Sequence, residues 1–324
     1  MKELPEGFST RAPTPEDAEE VAALLSAGAL PGSGEEGMTL EEVRDDWEDI
    51  DLAEEAVAVI TPHDRIAGYA DVVNRSYVAI SVYGYVHPDF HGQGIGAYLV
   101  AWGESWIRER ISRAPETARV SVQHYINAPN ADARSLLEDA GYAPVRATYV
   151  MKIELREPPS APDWPEGITV RNFVPGRDEK ASFEAVEDAF RDVWNRPRGT
   201  FESFTRMTRG EVFDPALWFL AMDGGEIAGM VLGKIISGEG WVDVVGVRRP
   251  WRGRGLGLAL LRRAFREYHR QGVEKVSLSV DAGSVTGAPR LYGRAGMHVA
   301  SEYIVYLKEL RPGVDLGARS GETE

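Results

Sequence analysis

The chain contains no cysteine. That absence removes disulfide frameworks, thiolate metal sites and a cysteine nucleophile, and with them any covalent thioester on the protein. Long apolar runs are missing too: none approaches the roughly 18–20 residues needed to span a bilayer. The opening Met1-Lys2-Glu3-Leu4-Pro5-Glu6 lacks the apolar stretch of a secretory signal, so a cytoplasmic protein without a membrane partner is expected. Positive charge is short, with 36 Lys and Arg against 51 Asp and Glu and a net charge of -15. Such a surface repels the phosphates of nucleic acids, which are not expected as partners; it confers solubility first, and it draws cationic small molecules. The six histidines show no metal-ligand spacing, and no metal is expected.

What is present is ordinary globular composition, 43% hydrophobic and 27% charged, over 324 residues, which is too long for one average domain. The chain also repeats itself. Val86-His87-Pro88-Asp89-Phe90-His91-Gly92-Gln93-Gly94-Ile95-Gly96 has a counterpart in Val247-Arg248-Arg249-Pro250-Trp251-Arg252-Gly253-Arg254-Gly255-Leu256-Gly257. The same offset joins Ala67-Gly68 to Ala228-Gly229, and Ser9-Thr10-Arg11 falls opposite Thr169-Val170-Arg171. Pairs in register imply two copies of one fold. Between them, residues 157–167 carry prolines that cannot continue a helix or sit in a central strand. The expected organisation is an N-terminal domain over 1–156, a linker over 157–167, a C-terminal domain over 168–310 and a mobile tail over 311–324.

Each half has the same coarse pattern. Helices are expected over 15–27 and 175–190, then strands over 56–60 and 218–222, 66–73 and 227–236, 78–86 and 241–247. Each last strand runs into a glycine-rich turn and a helix, over 94–110 and 255–271. A strand, a helix and a closing pair of strands follow. The fold class is α/β (α+β), with a central mixed sheet in each half.

A strand, a glycine-rich turn and a helix make an anion site, because unpaired amides at a helix N-terminus face the ligand and the helix dipole favours negative charge. Glycine reaches left-handed dihedrals cheaply and, lacking Cβ, lets phosphate oxygens approach the backbone. The interleaved Arg252 and Arg254 add forked donors suited to a pyrophosphate. A Rossmann loop would read Gly-x-Gly-x-x-Gly with an acidic residue some 20 positions on, and a P-loop would end in Gly-Lys-Ser/Thr; neither copy does.

The Arg-x-x-Gly-x-Gly run after a valine-rich strand resembles the acetyl-CoA pyrophosphate loop of the GNAT (Gcn5-related N-acetyltransferase) superfamily. The C-terminal copy also resembles the family's later block, from Leu278 to Met297 through Ser284 and Tyr292. The duplicated arrangement is similar to the tandem, mycothiol-synthase-type members. The resemblance implies a mixed, mostly antiparallel sheet whose fourth and fifth strands splay apart around the pantetheine arm of acetyl-CoA. It places pantetheine on the backbone of Val245, Gly246 and Val247, and pyrophosphate on Arg252, Gly253, Arg254, Gly255, Leu256, Gly257 and Leu258. Ser284 stands where many members have asparagine. In the N-terminal copy Val86, Gly92, Gln93, Gly94, Ile95 and Gly96 could still admit a CoA.

The activity so implied is N-acetyl transfer from acetyl-CoA to a primary amine of a small molecule, by direct attack in a ternary complex. Tyr292 falls where the superfamily has its tyrosine acid; its other reading is a core tyrosine. The N-terminal copy has Leu137 there and His91 in place of the first loop arginine, so it is expected to be catalytically silent. The family's frequent base position falls on Trp241, which cannot serve. Asp243 and Glu239 are the substitutes, each reading somewhat more readily as a solvated surface carboxylate than as a base, and deprotonation through water stays open. Strand alternation would put Trp241, Asp243, Val245 and Val247 on one face. The acidic segment 35–49 reads as an amphipathic helix. Acceptor choice is expected to lie in the variable segments 31–50 and 195–214. A CoA-binding sensor without turnover is the runner-up; a nicotinamide dinucleotide protein lacks its acidic ribose ligand.

Overall fold

The computed structural model describes residues 3–29, 37–74, 77–194, 196 and 198–316. The elements run β1 (Ser9–Arg11), α1 (Ala18–Gly28), α2 (Leu40–Trp47), α3 (Leu52–Glu55), β2 (Ala56–Ile60), β3 (Ile66–Asn74), β4 (Ala79–Val86), α4 (Ile95–Arg110), β5 (Val120–Asn127), α5 (Ala131–Asp139) and β6 (Ala143–Glu154). They continue with β7 (Ile168–Asn172), α6 (Glu179–Ala189), α7 (Phe201–Met207), β8 (Phe219–Asp223), β9 (Glu226–Ile236), β10 (Glu239–Val247), α8 (Leu256–Arg270), β11 (Lys275–Asp281), α9 (Ala288–Arg294) and β12 (His298–Arg311). Among the described residues no helix is long and apolar enough to cross a membrane.

Two compact units result, but they are not the two contiguous halves of the sequence. One comprises Met1–Ala147 with Ser301–Gly317; the other holds Thr148–Ala300. In unit 1, β12 from Tyr303 to Arg311 pairs antiparallel with β5. In unit 2, β6 from Thr148 to Glu154 pairs antiparallel with β11. Each unit therefore takes its last strand from the far side of the boundary expected at residues 157–167. A strand's sequence records that it pairs, and not with which partner. The expected linker is likewise part of unit 2: Leu155 donates its amide to Glu274 O at 2.7 Å, Arg266 reaches Pro159 O at 2.8 Å, and Trp164 packs on the core. Nor is the chain after Arg311 free, since Val314 bridges Ala118 and exchanges backbone hydrogen bonds with Thr117 and Arg119. Residues 317–324 of the expected tail lie outside the described residues.

Within unit 1, β1 to β4 form an antiparallel meander and β4 pairs parallel with β5. Within unit 2, β7 to β10 repeat the meander and β10 pairs parallel with β11. The all-buried run of β2 and the buried Leu256, Ala259, Leu260, Ala264, Phe265 and Tyr268 stripe of α8 are the apolar faces that hold these layers together. The helix expected in the acidic segment is α2, started by a Thr39 and Glu42 capping box and burying Val43; residues 35 and 36 lie outside the described residues. Of the variable segments, 31–36, 195 and 197 lie outside them too.

Candidate active site

The two glycine loops have the same backbone. Gly253 and Gly255 sit at φ +75° and +87°, Gly92 and Gly94 at +74° and +86°, and Gly255 and Gly94 are the N-caps of α8 and α4. A Cβ at any of the four would meet nothing within 4 Å. These positions therefore need glycine for dihedral reasons, and the space beside them is open to a ligand. The third glycine does a different task. A Cβ on Gly257 would lie 3.0 Å from Leu291 Cδ2, and one on Gly96 would lie 3.0 Å from Leu136 Cδ2, so it is the close approach of α8 to α9 and of α4 to α5 that excludes larger residues. With Leu258 and Ala259 amides already bonded to Gly255 O, the first amides of α8, on Leu256 and Gly257, are the donors that a pyrophosphate would take. The open cradle, left-handed turn and helix N-terminus fit a CoA diphosphate.

The arginines depart from expectation. Arg252 is taken up inside the protein: Nε donates to Val247 O at 3.0 Å, one Nη to Ala189 O at 2.8 Å and the other to Asp192 Oδ2 at 3.1 Å. Asp192 also binds Arg249, and these two guanidiniums hold its carboxyl below the usual range. Arg252 thus fastens the loop to the ends of β10 and α6, and Arg254 reaches Glu166 O at 3.2 Å. His91 makes the corresponding contact in unit 1, Nε2 to Val86 O at 3.0 Å. Asp192, some 60 residues away in sequence, carried no local signal that would have revealed it.

The splay of the central strands is present in both units. β10 and β11 pair only at Gly240 with Val276 and Trp241 with Ser277; β4 and β5 pair only from Ala79 with Ser121 to Ser81 with Gln123. Beyond those points the strands part, which frees backbone groups of β10 from Val242 onward on that edge. β10 also carries a bulge that β4 lacks: its register to β9 slips between Val242 and Val244, whereas β4 stays in register with β3 throughout. Asp243 is the extra residue. The bulge overturns the expected shared face, because each inserted residue inverts alternation. Val245 and Val247 oppose Val231 and Gly229, on the face where a Gly229 Cβ would meet Leu256 and Leu260 of α8. Trp241 opposes Lys234 and shares the other face with Gly246, whose missing Cβ admits Ala189, the last residue of α6, and Phe190 after it. Tyr268 of α8 donates its hydroxyl to Trp241 O at 2.7 Å and so pins β10 next to the bulge.

The candidate bases separate. Asp243 is exposed, just past the point where the strands part. Glu239 lies on the closed side of that point, paired with Lys275 at 2.9 Å and Lys152 at 3.8 Å. Ser284 sits in the turn before α9, with its hydroxyl 3.0 Å from that of Thr286. Tyr292 is buried on α9, its hydroxyl without a hydrogen-bond partner among the described residues, and burial pushes it up to about 12. Leu137 occupies the same backbone position in unit 1: Tyr292 O accepts from Met297 N at 3.0 Å, and Leu137 O accepts from Tyr142 N at 2.9 Å, each ahead of a left-handed glycine.

A duplicated sheet parted at its centre, with a glycine-capped helix at the opening, is the arrangement of one acyltransferase class, and the family model bears this out. The chain belongs to the acetyltransferase (GNAT) family, whose model matches residues 23–142 and 183–297. Similar curated proteins are the mycothiol acetyltransferases of Thermobispora bispora, 33% identical over 65% of this chain and 70% of that protein, and of Streptomyces bingchenggensis, 32% identical over 76% and 79%. A solved GCN5-related N-acetyltransferase from Sphaerobacter thermophilus is 54% identical, covers 98% of this chain and 100% of that chain, and superposes with a TM-score of 0.86. The fold is shared with a tandem GNAT protein from the clavulanic acid biosynthesis pathway, TM-score 0.69 at 16% identity over 95% of this chain and 100% of that one. The chain is thus a tandem GNAT acetyltransferase that uses acetyl-CoA, and the dinucleotide and non-catalytic readings are set aside.

Proposed function

We propose that unit 2 transfers acetyl from acetyl-CoA directly to a primary amine of a small molecule, and that unit 1 does not turn over. The observation that supports this most is the difference at one backbone position, a buried phenol at 292 against a leucine at 137. Acetyl-CoA supplies an acetyl thioester. The amides of Leu256 and Gly257 and the glycine cradle bind its diphosphate, and the parted edge of β10 around Val245 offers backbone groups to pantetheine.

Tyr292 keeps its proton through neutral pH, so its hydroxyl presents a hydrogen bond to the departing sulfur, while the proton that the amine releases is the one the thiolate finally takes up. A thiol near its ordinary pKa of about 8.5 is the stronger acid, so the phenol acts chiefly as a donor that holds developing charge. The amine loses its proton to Asp243 or to water on the same opening. The relatives named for mycothiol acetylation and the net charge of -15 both favour an amine-bearing small molecule as acceptor.

The test is turnover and acetyl-CoA affinity in Tyr292→Phe. Removing one transition-state donor should lower kcat by about 10²-fold while the Kd for acetyl-CoA, by calorimetric titration, stays within about twofold. Wild-type turnover in that variant would take Tyr292 out of the mechanism.

A further inference from the structure

We infer that Tyr268 of α8 is a positioning residue of unit 2: its buried hydroxyl holds the β10 bulge, and the bulge sets which backbone groups of β10 face the pantetheine arm. The inference rests on unit 2 being the acetyl-CoA site proposed above. Tyr268 is buried against β9 and β10, where two side chains are missing. A Cβ on Gly240 would stand 2.9 Å from Tyr268 Cδ1 and Cε1, and one on Gly233 would overlap the Tyr268 hydroxyl. Neither glycine has a positive φ, so lack of space, and not backbone conformation, is what excludes a side chain there. The hydroxyl donates to Trp241 O at 2.7 Å and lies 3.2 Å from Lys234 O, the two carbonyls of one cross-strand pair. The next pair is Val242 with Gly233, and immediately beyond it the register slips around Asp243. The Gly233 carbonyl is held in turn by the Trp218 indole N–H at 3.1 Å. Burial, with the charge of Asp243, raises the Tyr268 pKa well above the ordinary tyrosine value, so the hydroxyl remains a donor.

Two observations carry the inference. The first is what the held segment controls. A bulge turns the strand beyond it by one residue, so N–H and C=O groups that a regular β10 would direct at β9 are exchanged with those on the parted edge. Side-chain donors that fix carbonyls on both strands beside the slip therefore fix that choice at Val244 and Val245. The second is the duplication, which supplies a control. Trp241 and Ser81 are the last residues of their strands to pair across the parting, and Gly255 and Gly94 cap the two helices. Counted from those points, Tyr268 corresponds to Ile107, Gly233 to Val72 and Gly240 to Ile80. Ile107, Val72 and Ile80 are buried together in one apolar cluster, and β4 keeps its register to β3 throughout. Aliphatic side chains thus satisfy the fold at these three places, and in the unit that lacks the hydroxyl the bulge is absent too.

The test is hydrogen exchange of the full-length protein by mass spectrometry, read at residues 239–247 of β10. The protein is compared free, saturated with acetyl-CoA, and with ADP, which carries the diphosphate without the pantetheine arm; residues 79–86 of β4 are the internal control. In wild type, acetyl-CoA should protect β10 more than ADP does. Tyr268→Phe keeps the ring and removes only the hydroxyl. In that variant β10 of the free protein should exchange about tenfold faster, and the extra protection by acetyl-CoA should fall about tenfold, with the response to ADP and the exchange of β4 unchanged. Gly233→Ala, whose methyl displaces the hydroxyl while keeping the tyrosine, should do the same, and it carries the test if Tyr268→Phe does not fold. If acetyl-CoA protects wild-type β10 no more than ADP, the placing of pantetheine on β10 fails and the inference fails with it. If wild type shows the extra protection and the variants keep it in full, the inference alone is overturned, even where β10 exchanges faster, because Tyr268 would then be merely structural.

Discussion

Replacing Gly255 by alanine isolates the conformational part of cofactor binding. At φ +87° an L-residue is strained by about 1–2 kcal/mol, while the new methyl meets no atom of the protein within 4 Å. Strain, and not a clash, is therefore the first consequence. The loop answers in one of two ways. If it keeps its turn, the strain appears as a loss of about 1–2 kcal/mol in stability; if it relaxes, that amount must be supplied when acetyl-CoA restores the turn. At 1.4 kcal/mol per decade, the second case raises Kd about 5- to 30-fold. Intrusion of the methyl into the cradle adds to either. Calorimetric titration with acetyl-CoA together with a thermal melt distinguishes them, and Gly94→Ala, at φ +86° in the same open setting, reports whether unit 1 also binds. A Gly255→Ala protein with wild-type melting and wild-type Kd would refute the assignment of this loop to the cofactor.

Other expectations follow from the same geometry. Asp192→Ala frees Arg252 from one of its three anchors, and the KM for acetyl-CoA should rise several-fold with kcat little changed; a fall in kcat alone would contradict a clamp on the loop. Asp243→Asn should depress kcat and remove an acidic limb from the rate profile if that carboxylate takes the amine proton, whereas an unchanged profile leaves water in that role. Asp17 and Asp178 both have pKa values lowered to about 2, the first by Arg11 and the second by Arg171 and Arg177 against the opposing effect of burial. Because the folded value lies below the usual 3.8, their stabilisation is complete above about pH 4 and is lost as the pH falls toward 2. In acid unfolding followed by circular dichroism, Arg11→Ala and Arg171→Ala should each lose about 1 kcal/mol at pH 7 and show a shallower decline of stability between pH 4 and 2 than wild type. A profile parallel to wild type would disprove the linkage.

Much was legible in the linear order of residues. Repetition, the valine-rich strand before a glycine turn, and the leucine at 137 against the tyrosine at 292 are local patterns, and local patterns survive in a one-dimensional record because turn dihedrals and helix caps depend on neighbours a few residues apart. The two copies of one fold and the glycine turns that cap α4 and α8 came from these alone. What only the tertiary structure decided depends on residues far apart. The last strand of each sheet comes from beyond the expected boundary because strand pairing is chosen by the partner's edge. Arg252 turns inward because Asp192 and the carbonyl of Ala189 are brought to it. The bulge at Asp243 removes the shared face that alternation implied, since one extra residue against β9 inverts every side chain beyond it. Asp71 looks like any strand aspartate in the sequence, and only its burial in the folded unit raises its carboxyl to about 7.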